Sequence, residues 1–211
     1  AGMMDCKKAL IEAEGDYAKA QDIIREKGKL VAAKRADRSA TEGVVVSKIV
    51  GQKGYMLCLA CETDFVAKNS EFSATANEIL DIAIAADAAD LEALNAVAAD
   101  GRTVADKVTE KSGQTGEKVE LVYYAKIEAP MCVTYIHTNH KLGTLIGFNK
   151  EIGMEVAKDV AMQAAAMAPI SISREDCDPA VIEHERSIGR EQARLDGKPE
   201  AMLDKIAEGK V

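Results

Sequence analysis

Between residues 44 and 61 the chain stops reading as helix and reads as a β-hairpin, and no other stretch limits the fold so strongly. Val44-Val45-Val46-Ser47-Lys48-Ile49-Val50 and Tyr55-Met56-Leu57-Cys58-Leu59-Ala60-Cys61 are rich in strand formers, and Gly51-Gln52-Lys53-Gly54 between them reads as a turn. A helix follows over 70–86, with Asn69 placed to cap it and Ala76, Ile79, Leu80, Ala83 and Ile84 on one stripe. Two shorter helices are expected around 90–98 and 103–112.

The same layout then recurs. Residues 119–127 read as a strand, and 132–137 and 142–148 as a second hairpin turning through Thr138-Asn139-His140-Lys141. The helix after it carries Ile152, Val156, Val160, Ala164 and Met167 on one face, until Pro169 stops it. A hairpin followed by a helix, twice over, predicts a duplicated unit and an α+β fold class.

Both ends are helical. Met4, Ala9, Leu10 and Ala13 fall near helical spacing; Gly15 breaks the run, Asp16 caps a second helix with Ala20, Ile23 and Ile24 inward, and Gly28 is expected to end it. The basic stretch from Leu30 reads as a linker helix. From Arg174 onward the chain is charged, with a thin stripe of Val181, Ile182, Ile188 and Leu195, a turn at Asp196-Gly197-Lys198-Pro199, then Met202, Leu203 and Ile206. This predicts an antiparallel helical hairpin whose stripe needs another surface. The expected organisation is a partial N-terminal helical module at 1–29, a linker helix at 30–40, one α+β subdomain at 41–112, a second, incomplete one at 113–172, and the hairpin at 173–211.

The balance of charge narrows the function. A net charge of −8 leaves no broad cationic footprint, so direct binding to nucleic acid is not expected. No apolar run reaches the roughly 18 residues of a membrane span and no signal peptide is evident, so the chain reads as cytoplasmic, its five cysteines as reduced thiols, and membrane binding is not expected.

Chemistry-bearing patterns are weak. Cys58 and Cys61 lie three apart within a strand, which sends their sulfurs to opposite faces, and His137 and His140 come much later, so no metal is expected. A redox dithiol fails similarly, for want of a helix N-terminus to lower a thiol pKa. No glycine-rich phosphate loop and no His-Glu-x-x-His is present, so neither a cofactor nor an enzyme is indicated. Two features lie outside this account. Met3 and Met4 are adjacent and cannot both face one helical core. Phe65, one of only three phenylalanines, follows Thr63-Asp64 in a polar turn. Each is read either as packed on its own fold or as offered to a partner; methionine suits the second role because it adapts to varied surfaces.

The stretches "AGMMDCKKAL" at 1–10, "EGDYAKAQDIIREKG" at 14–28, "TEGVV" at 41–45 and "ETDFVAKNSEF" at 62–72, in this order, resemble the bacterial elongation factor Ts family. Thr134-Tyr135-Ile136-His137 followed by Leu142-Gly143 is a looser match. The resemblance covers almost the whole chain. It implies a ubiquitin-associated-like N-terminal module, two related α+β subdomains and a coiled-coil hairpin that makes a homodimer. It also implies a guanine nucleotide exchange factor in translation elongation, without bond chemistry, whose partner is the GTPase elongation factor Tu. By the same resemblance, Thr63, Asp64, Phe65 and Val66 contact that GTPase, with Phe65 wedged between two helices so that the magnesium and phosphate site is disturbed. Met3 and Met4 pack on another of its helices, and His137 contacts it nearer the phosphates. The loop after His137, usually Gly-rich and basic in the family, is Thr138-Asn139-His140-Lys141 here. Both ends are shorter than the family pattern, so a fragment is expected. The alternative from another class is a non-enzymatic scaffold that binds a partner through its N-terminal helical module.

Overall fold

The computed structural model describes residues 3–209. The chain divides into two compact units, Ala1–Ala166 and Met167–Val211. Its architecture is α+β.

The hairpin at the centre of the first unit forms as its sequence requires. β1 (Glu42–Val50) and β2 (Lys53–Cys61) pair antiparallel from Glu42 opposite Cys61 to Val50 opposite Lys53, so only Gly51 and Gln52 remain in the loop. Gly51 takes φ +61°, a conformation for which glycine carries no steric penalty at the first loop position. The far edge of β2 is taken by β5 (Glu120–Glu128), giving the order β1-β2-β5. The strand that the sequence groups with the second hairpin thus completes the first sheet.

Strand alternation sends Val44, Val46, Leu57, Leu59 and Cys61 to one face. α4 (Ser70–Ala86) lays Phe72, Ala76, Ile79, Leu80 and Ala83 against them at helical spacing. Asn69 caps α4 by accepting from the Glu71 amide at 2.8 Å. Asp87 ends it at φ +47°, and its carboxylate accepts from Lys53, Lys126 and Tyr55. Those three donors, Lys53 foremost, hold the Asp87 carboxyl down to about 2. α5 (Leu91–Ala96), the two-residue strands β3 (Ala98–Ala99) and β4 (Arg102–Thr103), and α6 (Val104–Thr115) close the core with Leu94, Val104 and Val108.

At the N-terminal side, α1 (Met3–Glu12) and α2 (Tyr17–Lys34) meet through Ala9, Ala13 and Ala20. Asp16 caps α2 by accepting from the Lys19 amide. α2 does not stop at Gly28 but runs on to Lys34, so the expected linker helix is its last turns. The reason lies far along the chain. Gly28 faces Gly113 of α6, and a Cβ on Gly113 would stand 2.4 Å from the Gly28 Cα. This glycine serves a close helix crossing rather than a helix end.

The second hairpin, β6 (Met131–Ile136) and β7 (Gly143–Phe148), stays two-stranded. α7 (Met154–Met167) packs on it through Ala157 and Ala161 with Val133, and Thr144 Oγ1 donates to the Ala161 carbonyl at 2.7 Å. The buried face is therefore one residue away from the one read in the sequence: Val156 and Val160 are exposed. Small alanines let the helix approach a narrow sheet that larger side chains would hold off.

In the second unit, α8 (Pro179–Leu195) and α9 (Leu203–Glu208) form a helical hairpin. Asp178 caps α8, Gly197 turns the chain at φ +72°, and Gly189, Ala193, Leu203 and Ala207 are buried. Ion pairs of Arg186 with Glu208 and Arg190 with Asp204 show the two helices antiparallel.

Candidate functional site

In the stretch from Cys61 to Asn69, Thr63 and Asn69 cap the helices that follow them, while Asp64 pairs with Lys68 and Glu62 reaches other segments of the chain. Thr63 is extended (φ −124°, ψ 153°) and caps α3 (Asp64–Ala67), its Oγ1 accepting from the Val66 amide at 3.5 Å. Asp64 occupies the first turn, where a carboxylate complements the helix dipole. Val66 and Ala67 pack against the core of the first sheet. Phe65, between the cap and this inward pair, points away and is 84% exposed. The reading in which it docks on its own helix is not what the structure contains.

Polar contacts brace this turn from below. Glu117 Oε2 accepts from the amides of Glu62 (3.1 Å) and Thr63 (3.0 Å), and its Oε1 accepts from the Thr63 hydroxyl at 2.6 Å. The Glu62 carboxylate in return accepts from the Lys118 amide at 2.7 Å and from Arg35, the C-cap of α2, at 3.0 Å to each oxygen. The Lys118 amide, with Arg35 assisting, holds the Glu62 carboxyl below the usual carboxylate range. The sequence reading missed Arg35, Glu62 and Glu117. A single carboxylate beside a glycine turn carries no signal that separates a brace from a solvated side chain.

Asp64 accepts from Lys68 at 2.6 Å, and this bond, helped by the charge of Lys141, keeps its carboxyl below the ordinary value. Lys141 belongs to the β6–β7 loop, which reaches β1: the Val45 amide donates to the His140 carbonyl at 2.7 Å, and Lys141 pairs with Glu42. Asp64, Lys68, Asn139, His140 and Lys141 therefore border one open groove along β1. His140, which takes φ +56°, lies on this groove. His137 is exposed at the start of the loop, with its Nδ1 2.7 Å from the Tyr135 hydroxyl. Met3 and Met4 stand apart from it on α1, 87% and 61% exposed, and Met3 continues into an apolar strip with Leu10 and Ile11. Their connection to Phe65 is indirect: α1 packs on α2, and α2 reaches Glu62 through Arg35.

Burial raises the Cys58 thiol and pushes Cys61 up to about 11, which makes both poor nucleophiles. Among the described residues no three His, Cys, Asp or Glu side chains converge as metal ligands would. Fold and site together define an α+β protein with an aromatic side chain protruding from a braced turn and exposed methionines on its first helix.

Comparison with known proteins makes this specific. The family model for elongation factor Ts matches residues 62–211. The elongation factor Ts of Porphyromonas gingivalis is 48% identical over 210 residues, covering 99% of this chain and 77% of that protein. Those of Cytophaga hutchinsonii (45% over 217 residues) and Christiangramia forsetii (46% over 215) each align with 100% of this chain and 78% of their own length. The chain belongs to the elongation factor Ts family.

Proposed function

We propose that this chain is a guanine nucleotide exchange factor that binds elongation factor Tu and promotes GDP release during translation elongation. The observation that carries the reading is Phe65, 84% exposed yet fixed on a capped turn. An aromatic held in water by its own fold is available for burial in a partner.

Exchange needs no bond chemistry. It requires tighter binding to the nucleotide-free GTPase than to the loaded one, and linkage then makes each ligand weaken the other equally. Burying one Phe yields about 1.5–3 kcal/mol, and each tenfold weakening of nucleotide takes about 1.4 kcal/mol, so Phe65 supplies one to two decades. In this reading Phe65 wedges between helices of the GTPase and disturbs its magnesium and phosphate site. Asp64, Met3, Met4 and His137 add surface contacts; Thr63 and Val66, half-buried in their own fold, mainly hold the wedge in place.

Exposed Val181, Ile188 and Leu195 on α8 support pairing of the hairpin with a second copy. The charge of −8 supports a protein partner over nucleic acid. No described helix is long and apolar enough to cross a membrane, and a translation factor belongs in the cytoplasm.

The test is stopped-flow release of a fluorescent GDP analogue from elongation factor Tu. Addition of this chain is expected to speed release. An unchanged rate alongside demonstrable binding would favour a scaffold that docks through the apolar strip of α1.

A further inference from the structure

We propose that Glu117 is the positioning residue of this site: its carboxylate sets the direction in which Asp64 and Phe65 leave the fold. The inference rests on the exchange reading above and adds a residue outside the segment that touches the partner.

Three observations carry it. All three hydrogen bonds that the Glu117 carboxylate accepts come from residues 62 and 63, immediately before α3. The Thr63 hydroxyl spends its proton on Glu117 at 2.6 Å, which leaves its lone pair turned to the Val66 amide as the α3 cap. Without the carboxylate the hydroxyl is free to rotate, and the amides of residues 62 and 63 lose their acceptor. Finally, the brace is reciprocal: Glu117 takes the Glu62 amide while Glu62 takes the Lys118 amide, so two chain segments are locked in register.

Glu117 is itself aimed by rigid structure. It follows Gly116, the α6 C-cap at φ +72°, and α6 is fixed against α2 where Gly113 meets Gly28. α3 is a single turn without a buried residue of its own. Val66 and Ala67 pack on the core only in part, so polar contacts share with that packing in fixing its orientation. The hydrogen bonds of the Glu117 carboxylate go to residues 62 and 63 and not to Phe65, so it acts through Thr63.

The test uses the full chain with para-fluorophenylalanine at its three phenylalanines, Phe65, Phe72 and Phe148. Glu117→Ala is expected to shift or broaden the Phe65 fluorine resonance while leaving that of the core residue Phe72 in place. In the release assay, Glu117→Ala should slow stimulated GDP release about tenfold at saturating factor when Phe65 is present, an effect of the size expected for a lost cap and hydrogen bonds. In a Phe65→Ala background the same change should cost no more than about twofold, because residues acting as one unit are not additive. Equal losses in both backgrounds, or an unchanged Phe65 resonance, would overturn the proposal. If Glu117→Ala also disperses the Phe72 signal, Glu117→Gln, which keeps the shape and loses the charge, decides by the same two readouts. A wild-type chain that fails to speed release would sink the exchange reading, whereas the fluorine spectrum would still decide whether Glu117 orders Phe65.

Discussion

Phe65 and Phe72 belong to neighbouring helices joined by a short turn, yet one is 84% exposed and the other 1%. Phe72 sits on the inward stripe of α4 beside Ala76 and Ile79, where helix and sheet share a core. Phe65 sits on a single turn held by Thr63, Glu62 and Glu117, a device that fixes a backbone without burying its aromatic. The difference teaches where binding energy is kept. Burial worth about 1.5–3 kcal/mol is used in folding at Phe72 and is not used at Phe65, where the proposed encounter would draw on it.

The comparison breaks most sharply by removing the core member. Phe72→Ala should lose about 3–5 kcal/mol of stability in urea melts, and Phe65→Ala no more than about 0.5 kcal/mol. Next comes the crossing that supports the brace. Gly113→Ala is expected to cost about 1–3 kcal/mol, as overpacking does, since its Cβ would meet backbone at 2.4 Å. Gly28→Ala, at an ordinary 3.5 Å, should cost less, and a reversed order in thermal melts would contradict the crossing geometry.

A smaller effect probes the turn itself. Thr63→Val keeps the β-branch and removes the cap, so about 1 kcal/mol of local stability should vanish, seen as faster amide exchange at Val66 with α4 unaffected. The smallest concerns the end of α4. Asp87 is held at about 2 against an ordinary 3.8, so its contribution is fully present above the ordinary value and is lost as pH falls through the folded one. Asp87→Asn should therefore flatten the acid limb of stability between pH 3.8 and about 2, measured by urea midpoints.

The first hairpin and α4 were legible because their signals are local: strand formers around glycines, and a capped stripe at helical spacing. The continuation of α2 was not, because Gly28 looks like a stop signal until Gly113 is brought against it. The buried face of α7 was displaced because alanines give weak hydrophobic signal, while Val156 and Val160 advertise a face they do not bury. At the site, the polarity around Phe65 left packing and exposure both open, and the fold leaves it 84% exposed. Glu117 and Arg35 were silent, since their partners lie in other parts of the sequence and only folding joins them.

The account stands on Phe65 acting in exchange and not in folding. Stopped-flow release of fluorescent GDP from elongation factor Tu, with wild type and Phe65→Ala at saturating concentration, tests this most directly. The expected result is release slowed roughly ten- to a hundredfold by the substitution, with the urea midpoint unchanged. Equal release rates for the two proteins would contradict it.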